Sequence, residues 1–173
     1  MSRPVASDVE FDETDLALLE QVEGDFDVSL ETLSDRLELS KSAVHYRLNK
    51  LKDSGVITGV TADLDPLAFG LDMVALTEVT VDHTEGYSET VGERLDAVEG
   101  VERVYYTMGD VDFVAVVRVQ NRDQMNDVID DIVAIDAVDQ TSSRFVLDEI
   151  GGDAGVVGNV RDEATDALLD REG

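Results

Sequence analysis

All three lysines of this 173-residue chain lie between positions 41 and 52. With Arg36 and Arg47 they set five cations against one acid, Glu38, across residues 36–52, a net of +4 in a chain of formal net charge -27. Val44, Leu48 and Leu51 recur at spacings of four and three, so a helix there buries one face. Ser42, His45, Tyr46 and Asn49 then turn outward, with Arg47 and Lys50 at the flanks. Ser40 is placed to cap the helix, which sets free N–H groups and the positive dipole end beside Lys41 and Ser42. Hydroxyl, imidazole, phenol and amide groups rimmed by cations suit hydrogen bonding to base edges and clamping of phosphates. Ser40, Lys41, Ser42, His45, Tyr46, Arg47, Asn49 and Lys50 are therefore the candidate contacts to double-stranded DNA.

No comparable set points to catalysis. The chain has no cysteine, which excludes disulfides, thiolate chemistry and cysteine-ligated zinc. No HExxH pattern, phosphate loop or nucleophile–base pair is present, so neither catalytic nor metal-ligating residues are expected, and no cofactor. The only other histidine, His83, falls in a different domain from His45.

The acid excess opposes DNA binding at low salt. Spread along nearly the whole chain, it suits a protein working in concentrated salt, where charge repulsion is screened within about 3 Å at 1 M; simple solubility is the other reading, but it leaves the basic island unexplained. Two copies reading related half-sites would recover affinity through effective concentration. No run reaches 18 apolar residues, and the first residues lack the apolar stretch of a signal peptide, so a cytoplasmic, non-membrane protein is expected.

Around the basic helix the pattern divides the chain. Residues 1–10 read as a flexible arm and 11–63 as a helix-turn-helix domain. Asp12 with Asp15 caps a first helix carrying Leu16, Leu18, Leu19 and Val22. Ser29 caps a second, with Leu30, Leu33 and Leu37 inward. Residues 56–62 read as a short hairpin or wing. After a linker at 64–71, residues 72–150 follow the order β-α-β-β-α-β: strands over 73–81, 101–108, 113–120 and 140–147, with helices over 84–97 and from a cap at Asn121. That order defines a ferredoxin-like sheet covered by helices on one face; Val101, Val104, Phe113, Val114, Val116 and Val117 supply apolar side chains to both faces, so the uncovered one is expected to pair with a second copy. Residues 151–173 read as a flexible tail with a short helix over 161–171. The fold class is thus α+β, a winged helix-turn-helix followed by a ferredoxin-like domain.

The chain resembles the Lrp/AsnC, or feast/famine, family of transcriptional regulators from about Phe11 to Ile150. The resemblance rests on Phe11–Leu19, Leu39–Leu48, Leu51–Gly59 and Gly109–Phe113 in that order. It implies DNA-binding homodimers that assemble further into tetramers or octamers, and a second domain that senses an amino acid or related small metabolite. The acidic composition resembles that of a halophilic archaeal member. By position, Arg47 matches the family's basic recognition-helix residue, whereas Tyr46 stands where many members carry a second cation, Lys41 where proline is frequent, and Glu38 where glycine is frequent. Gly109, Asp110 and Asp112 match the effector loop, and Thr141 and Ser143 its Thr-x-Thr pattern. The loop offers backbone N–H groups and carboxylates for a zwitterion; a plain turn with solvated aspartates is the alternative. For the chain as a whole, the alternatives are an effector-sensing protein-interaction module and a weakly specific, chromatin-like DNA binder.

Overall fold

A computed structural model describes residues 9–25, 27–62, 64–83, 87–151 and 155–160. The described residues form two compact units, one of those between 64 and 150 and the other of those before 63 together with those after 150.

The first unit in sequence holds three helices, α1 (Glu13–Gly24), α2 (Leu30–Arg36) and α3 (Lys41–Asp53). Each begins at the expected cap. Asp12 accepts the Asp15 N–H at 2.7 Å, and the Asp15 carboxylate reaches back to the Asp12 N–H, which completes the capping box. Ser29 accepts the Thr32 N–H, and the Thr32 side chain turns to the Ser29 hydroxyl instead of closing a box. Leu18, Leu33, Val44 and Leu51 form the buried centre of this unit. Between α2 and α3, Glu38 takes a φ of +53°, the left-handed region that glycine adopts at no cost.

One expectation fails here. Among the described residues, 56–62 form no strand and so no hairpin. The Ile57 N–H is spent on the Leu51 carbonyl at 3.0 Å, which folds the chain back onto the end of α3 instead of offering that group to a facing strand.

The second unit contains β1 (Met73–Val81), α4 (Tyr87–Asp96), β2 (Val101–Tyr106), β3 (Phe113–Val119), α5 (Arg122–Val133) and β4 (Val138–Phe145). The antiparallel sheet has the order β2-β3-β1-β4. Alternation along the strands sends Ala75, Val79, Phe113, Ala115 and Val117 toward Val91 and Leu95 of α4 and Met125, Val128 and Ile132 of α5. The residues between them face the other way, where Leu76 and Tyr105 are exposed and Val114 and Val116 half-buried. A ferredoxin-like βαββαβ arrangement follows, as expected. The 64–71 stretch is not plain linker: Pro66–Phe69 makes a 3-10 turn capped by Asp65. Strand β2 ends at Tyr106 because the Thr107 N–H turns to the Asp112 carbonyl at 2.8 Å, closing the loop that follows. Of the arm expected over 1–10, residues 1–8 lie outside the described residues, as does the helix expected over 161–171.

Candidate nucleic-acid interface and effector loop

In the helix-turn-helix unit, Ser40 accepts the Ala43 N–H and its hydroxyl meets that of Ser42 at 3.0 Å. Val44 and Leu51 anchor the buried side of α3, which leaves Ser42, His45, Tyr46 and Asn49 exposed on the other, Tyr46 at 71%. The Asn49 amide lies 3.2 Å from His45 Nδ1, one turn away. This pair offers mixed donor and acceptor groups from adjacent turns, which is what reading a base edge requires.

The cations are less free than their sequence positions suggest. Arg47 Nη1 donates to Asp12 Oδ2 and to Asp15 Oδ1, both at 2.6 Å. Lys50 Nζ lies 3.5 Å from the other Asp15 oxygen and donates to the Glu10 carbonyl. Lys41 pairs with Glu31 of α2 at 3.1 Å in an exposed bridge. Asp15 itself is fully buried, so the first turn of α1 carries an acid that two cations of α3 neutralise. These hydrogen bonds, to Asp15 and then to Asp12, raise the Arg47 pKa further against the opposing effect of burial. Burial pushes Asp12 up, but the Arg47 hydrogen bond, the Asp15 N–H and the charges of Arg47 and Lys50 outweigh it and hold Asp12 below its ordinary value.

In the second unit, the loop Thr107–Asp112 sits where β2, β3 and the end of β1 meet. Asp112 is buried and both its oxygens are taken: one accepts the Val81 N–H at 2.9 Å, the other lies 2.7 Å from His83 Nε2. Burial raises its pKa, but the Val81 N–H and His83 together bring it below the usual carboxylate range. Ser143 is likewise engaged, with the buried Thr77 hydroxyl at 2.9 Å. Gly109 (φ +145°) and Asp110 stay exposed, and Thr141 is half-buried across the ladder from Val79. Of the five effector residues expected, then, Asp112 and Ser143 brace the fold, while Gly109, Asp110 and Thr141 face open space or the sheet edge.

Around Asp112 the fold gathers residues that sequence reasoning did not assign. His83 stacks on Tyr87 with ring centroids 4.6 Å apart, and the Tyr87 and Tyr106 hydroxyls meet at 2.9 Å. That hydrogen bond, with burial, pushes the Tyr87 pKa up to about 12. Spacing carried no signal for this cluster, because His83, Tyr87 and Tyr106 come from three different elements. A cavity of about 550 Å³ lies at the opposite end of the sheet, beside Gly100, Arg118, Gln120, Gln124 and Asp127, and none of the five expected effector residues lines it. Among the described residues, no three His, Cys, Asp or Glu side chains group as metal ligands.

A three-helix unit with an exposed polar face on its third helix, joined to a βαββαβ unit, defines a two-domain DNA-binding regulator. Residues 11–58 match a winged helix-turn-helix DNA-binding model, and residues 74–155 match the Lrp/AsnC ligand-binding domain. The HTH-type transcriptional regulator FL11 of Pyrococcus horikoshii is 36% identical over 139 residues, covering 80% of this chain and 91% of that protein. The regulator LrpA1 of Halobacterium salinarum is 30% identical over 138 residues, 79% of this chain and 96% of that protein. Among solved structures, the leucine response regulatory protein LrpA of Mycobacterium tuberculosis superposes with a TM-score of 0.73 at 28% identity, over 85% of this chain and 99% of that one. The chain belongs to the Lrp/AsnC family: it is a DNA-binding transcriptional regulator with a ligand-binding domain.

Proposed function

We propose that this regulator reads specific duplex sequences through α3 and responds to an amino acid or a related small metabolite bound by its βαββαβ unit. The exposed row Ser42, His45, Tyr46 and Asn49, bordered by Lys41, Arg47 and Lys50, carries the DNA half of this reading. Base selection falls to His45 and Asn49, whereas Ser40, Lys41, Arg47 and Lys50 act at the backbone. Arg47 reaches a phosphate by exchanging one of its carboxylates for it.

The effector half is supported by the match to a ligand-binding domain and by the exposed backbone at Gly109 and Asp110. With Asp112 already satisfied, Asp110 is the carboxylate left for an ammonium group. The relative from M. tuberculosis is named for a leucine response, which favours an amino acid. The uncovered sheet face, centred on Leu76, Tyr105, Val114 and Val116, supports homodimers, from which tetramers or octamers assemble. No helix among the described residues is long and apolar enough to cross a membrane, and a cytoplasmic regulator working on the chromosome in a salt-rich archaeal cell accords with the net charge of -27. The functional boundaries are taken as 11–63 for DNA binding and 72–150 for sensing and pairing.

Mapping bound sites across the host genome, with and without an added amino-acid pool, tests both halves together. A recurrent two-half-site sequence whose occupancy shifts with the pool is expected. Titration of His45→Ala and Asn49→Ala in molar potassium chloride should narrow the gap between specific and random duplex; equal losses on both would remove these residues from base reading.

A further inference from the structure

The match to the ligand-binding domain stops at residue 155, yet the described residues beyond Ile150 belong to the same compact unit as α1, α2 and α3. They are pinned there by Glu23, near the end of α1. One oxygen of its carboxylate accepts the Val156 N–H and the other the Val157 N–H at 2.9 Å. Such charge-assisted bonds are about twice as strong as neutral ones. Gly155 makes room for them, since a Cβ at that position would lie 2.4 Å from a Glu23 oxygen. The turn Val157–Asn159 is closed by the Asn159 amide donating to the Gly155 carbonyl at 3.1 Å.

Val156 and Val157 border an apolar groove of about 530 Å³ whose other sides include Leu19 and Val22 of α1 and Val56, Ile57 and Val60 beyond α3. This is the segment that lacks a strand partner. A stretch of chain without ladder hydrogen bonds opens easily unless something packs against it.

We propose that residues 155–160 are a strap, docked on α1 through Glu23, that holds the segment following the recognition helix in its working position. The chain's own C-terminal extension thereby does for residues 56–62 what hairpin pairing would otherwise do. The inference rests on the DNA-reading role of α3 proposed above only for its effect on binding; the docking stands apart from it.

The test uses the whole chain and two variants. Gly155→Ala leaves every charge in place, but its methyl group drives the Glu23 carboxylate off the two N–H groups. The second variant ends at Ile150. Hydrogen exchange is read over peptides spanning 56–62 and over β1–β4, and affinity is titrated in molar potassium chloride on a genomic fragment that the unaltered chain retains. In both variants, exchange over 56–62 should quicken about tenfold, with the sheet unchanged, and affinity should fall about three- to tenfold. Unchanged exchange over 56–62 in either variant overturns the strap. Faster exchange with full affinity overturns its part in DNA binding. If the unaltered chain retains no genomic duplex, the reading of α3 fails, while the exchange rates still decide the docking.

Discussion

Replacing Asp15 with asparagine keeps the shape of the side chain and removes the charge that joins α3 to α1. The carboxylate is fully buried and neutralised by Arg47 at 2.6 Å and Lys50 at 3.5 Å. Removing one partner of a buried pair costs about 3–5 kcal/mol when the other is left stranded. Arg47 is not wholly stranded, because its side chain is 25% exposed and it keeps Asp12, so the expected loss is lower, about 2–3 kcal/mol. For a unit of this size that corresponds to a fall in Tm of roughly 10–20 °C. Asp12→Asn is the control: its side chain is 52% exposed, asparagine still caps the helix, and the half-exposed pair it loses is worth at most about 1 kcal/mol. Urea unfolding followed through the helix signal, at low and at molar potassium chloride, separates the two. The Asp15 effect should persist in high salt because buried pairs are poorly screened, and Asp15→Asn combined with Arg47→Gln should cost less than the two singles added together. Additive losses, or an Asp15 variant no weaker than the Asp12 control, would refute the picture of a buried charge clamp.

Glu38→Gly should stabilise the same unit by about 1 kcal/mol, since the φ of +53° at this turn is costly for a side-chain-bearing residue; a lower Tm would contradict it. Leu76→Asp places a charge on the uncovered sheet face, where Leu76 is 40% exposed, and should raise the dimer dissociation constant about a hundredfold in sedimentation runs without unfolding the monomer. An unaltered dimer would move the pairing surface elsewhere. Asp112→Asn should destabilise the βαββαβ unit by about 1–2 kcal/mol, through the bonds to Val81 and His83. Because the folded Asp112 pKa is lowered, its contribution is complete above the ordinary carboxylate value and is lost as pH falls through the folded one. The gap between variant and parent should therefore close in acid below about pH 4; a gap constant down to pH 2 would count against the assignment.

The parts of this molecule legible in its sequence are those fixed by neighbours. Asp12, Ser29, Ser40 and Asn121 each cap the helix they introduce, and alternation from Met73 onward marks a strand because both faces of one residue pair are settled within a few positions. Even there the detail shifts by one residue: the spacing of Asn121 and Gln124 suggests a capping box, but Gln124 accepts the Gln120 N–H rather than that of Asn121. What stayed hidden depends on partners far along the chain. Asp15 reads as the capping partner of Asp12 and is that, but nothing local tells that Arg47, 32 residues on, also claims it. Asp112 reads as a loop ligand until Val81 and His83 claim it. No local pattern tells that Glu23 captures Val156 and Val157, 133 and 134 residues away.

The prior engagement of Lys41, Arg47 and Lys50 by carboxylates of their own chain bears on how operator affinity varies with ionic strength. A free lysine that meets a phosphate liberates a condensed ion from the duplex, and affinity drops by nearly one decade per decade of salt for each such contact. A cation that first has to let go of the exposed Glu31 or the half-exposed Asp12 sets an internal exchange against that gain, and rising salt loosens that competitor along with the phosphate. Where these cations meet phosphate as proposed, the expected outcome is a shallow dependence, and operator occupancy then changes little as internal potassium drifts.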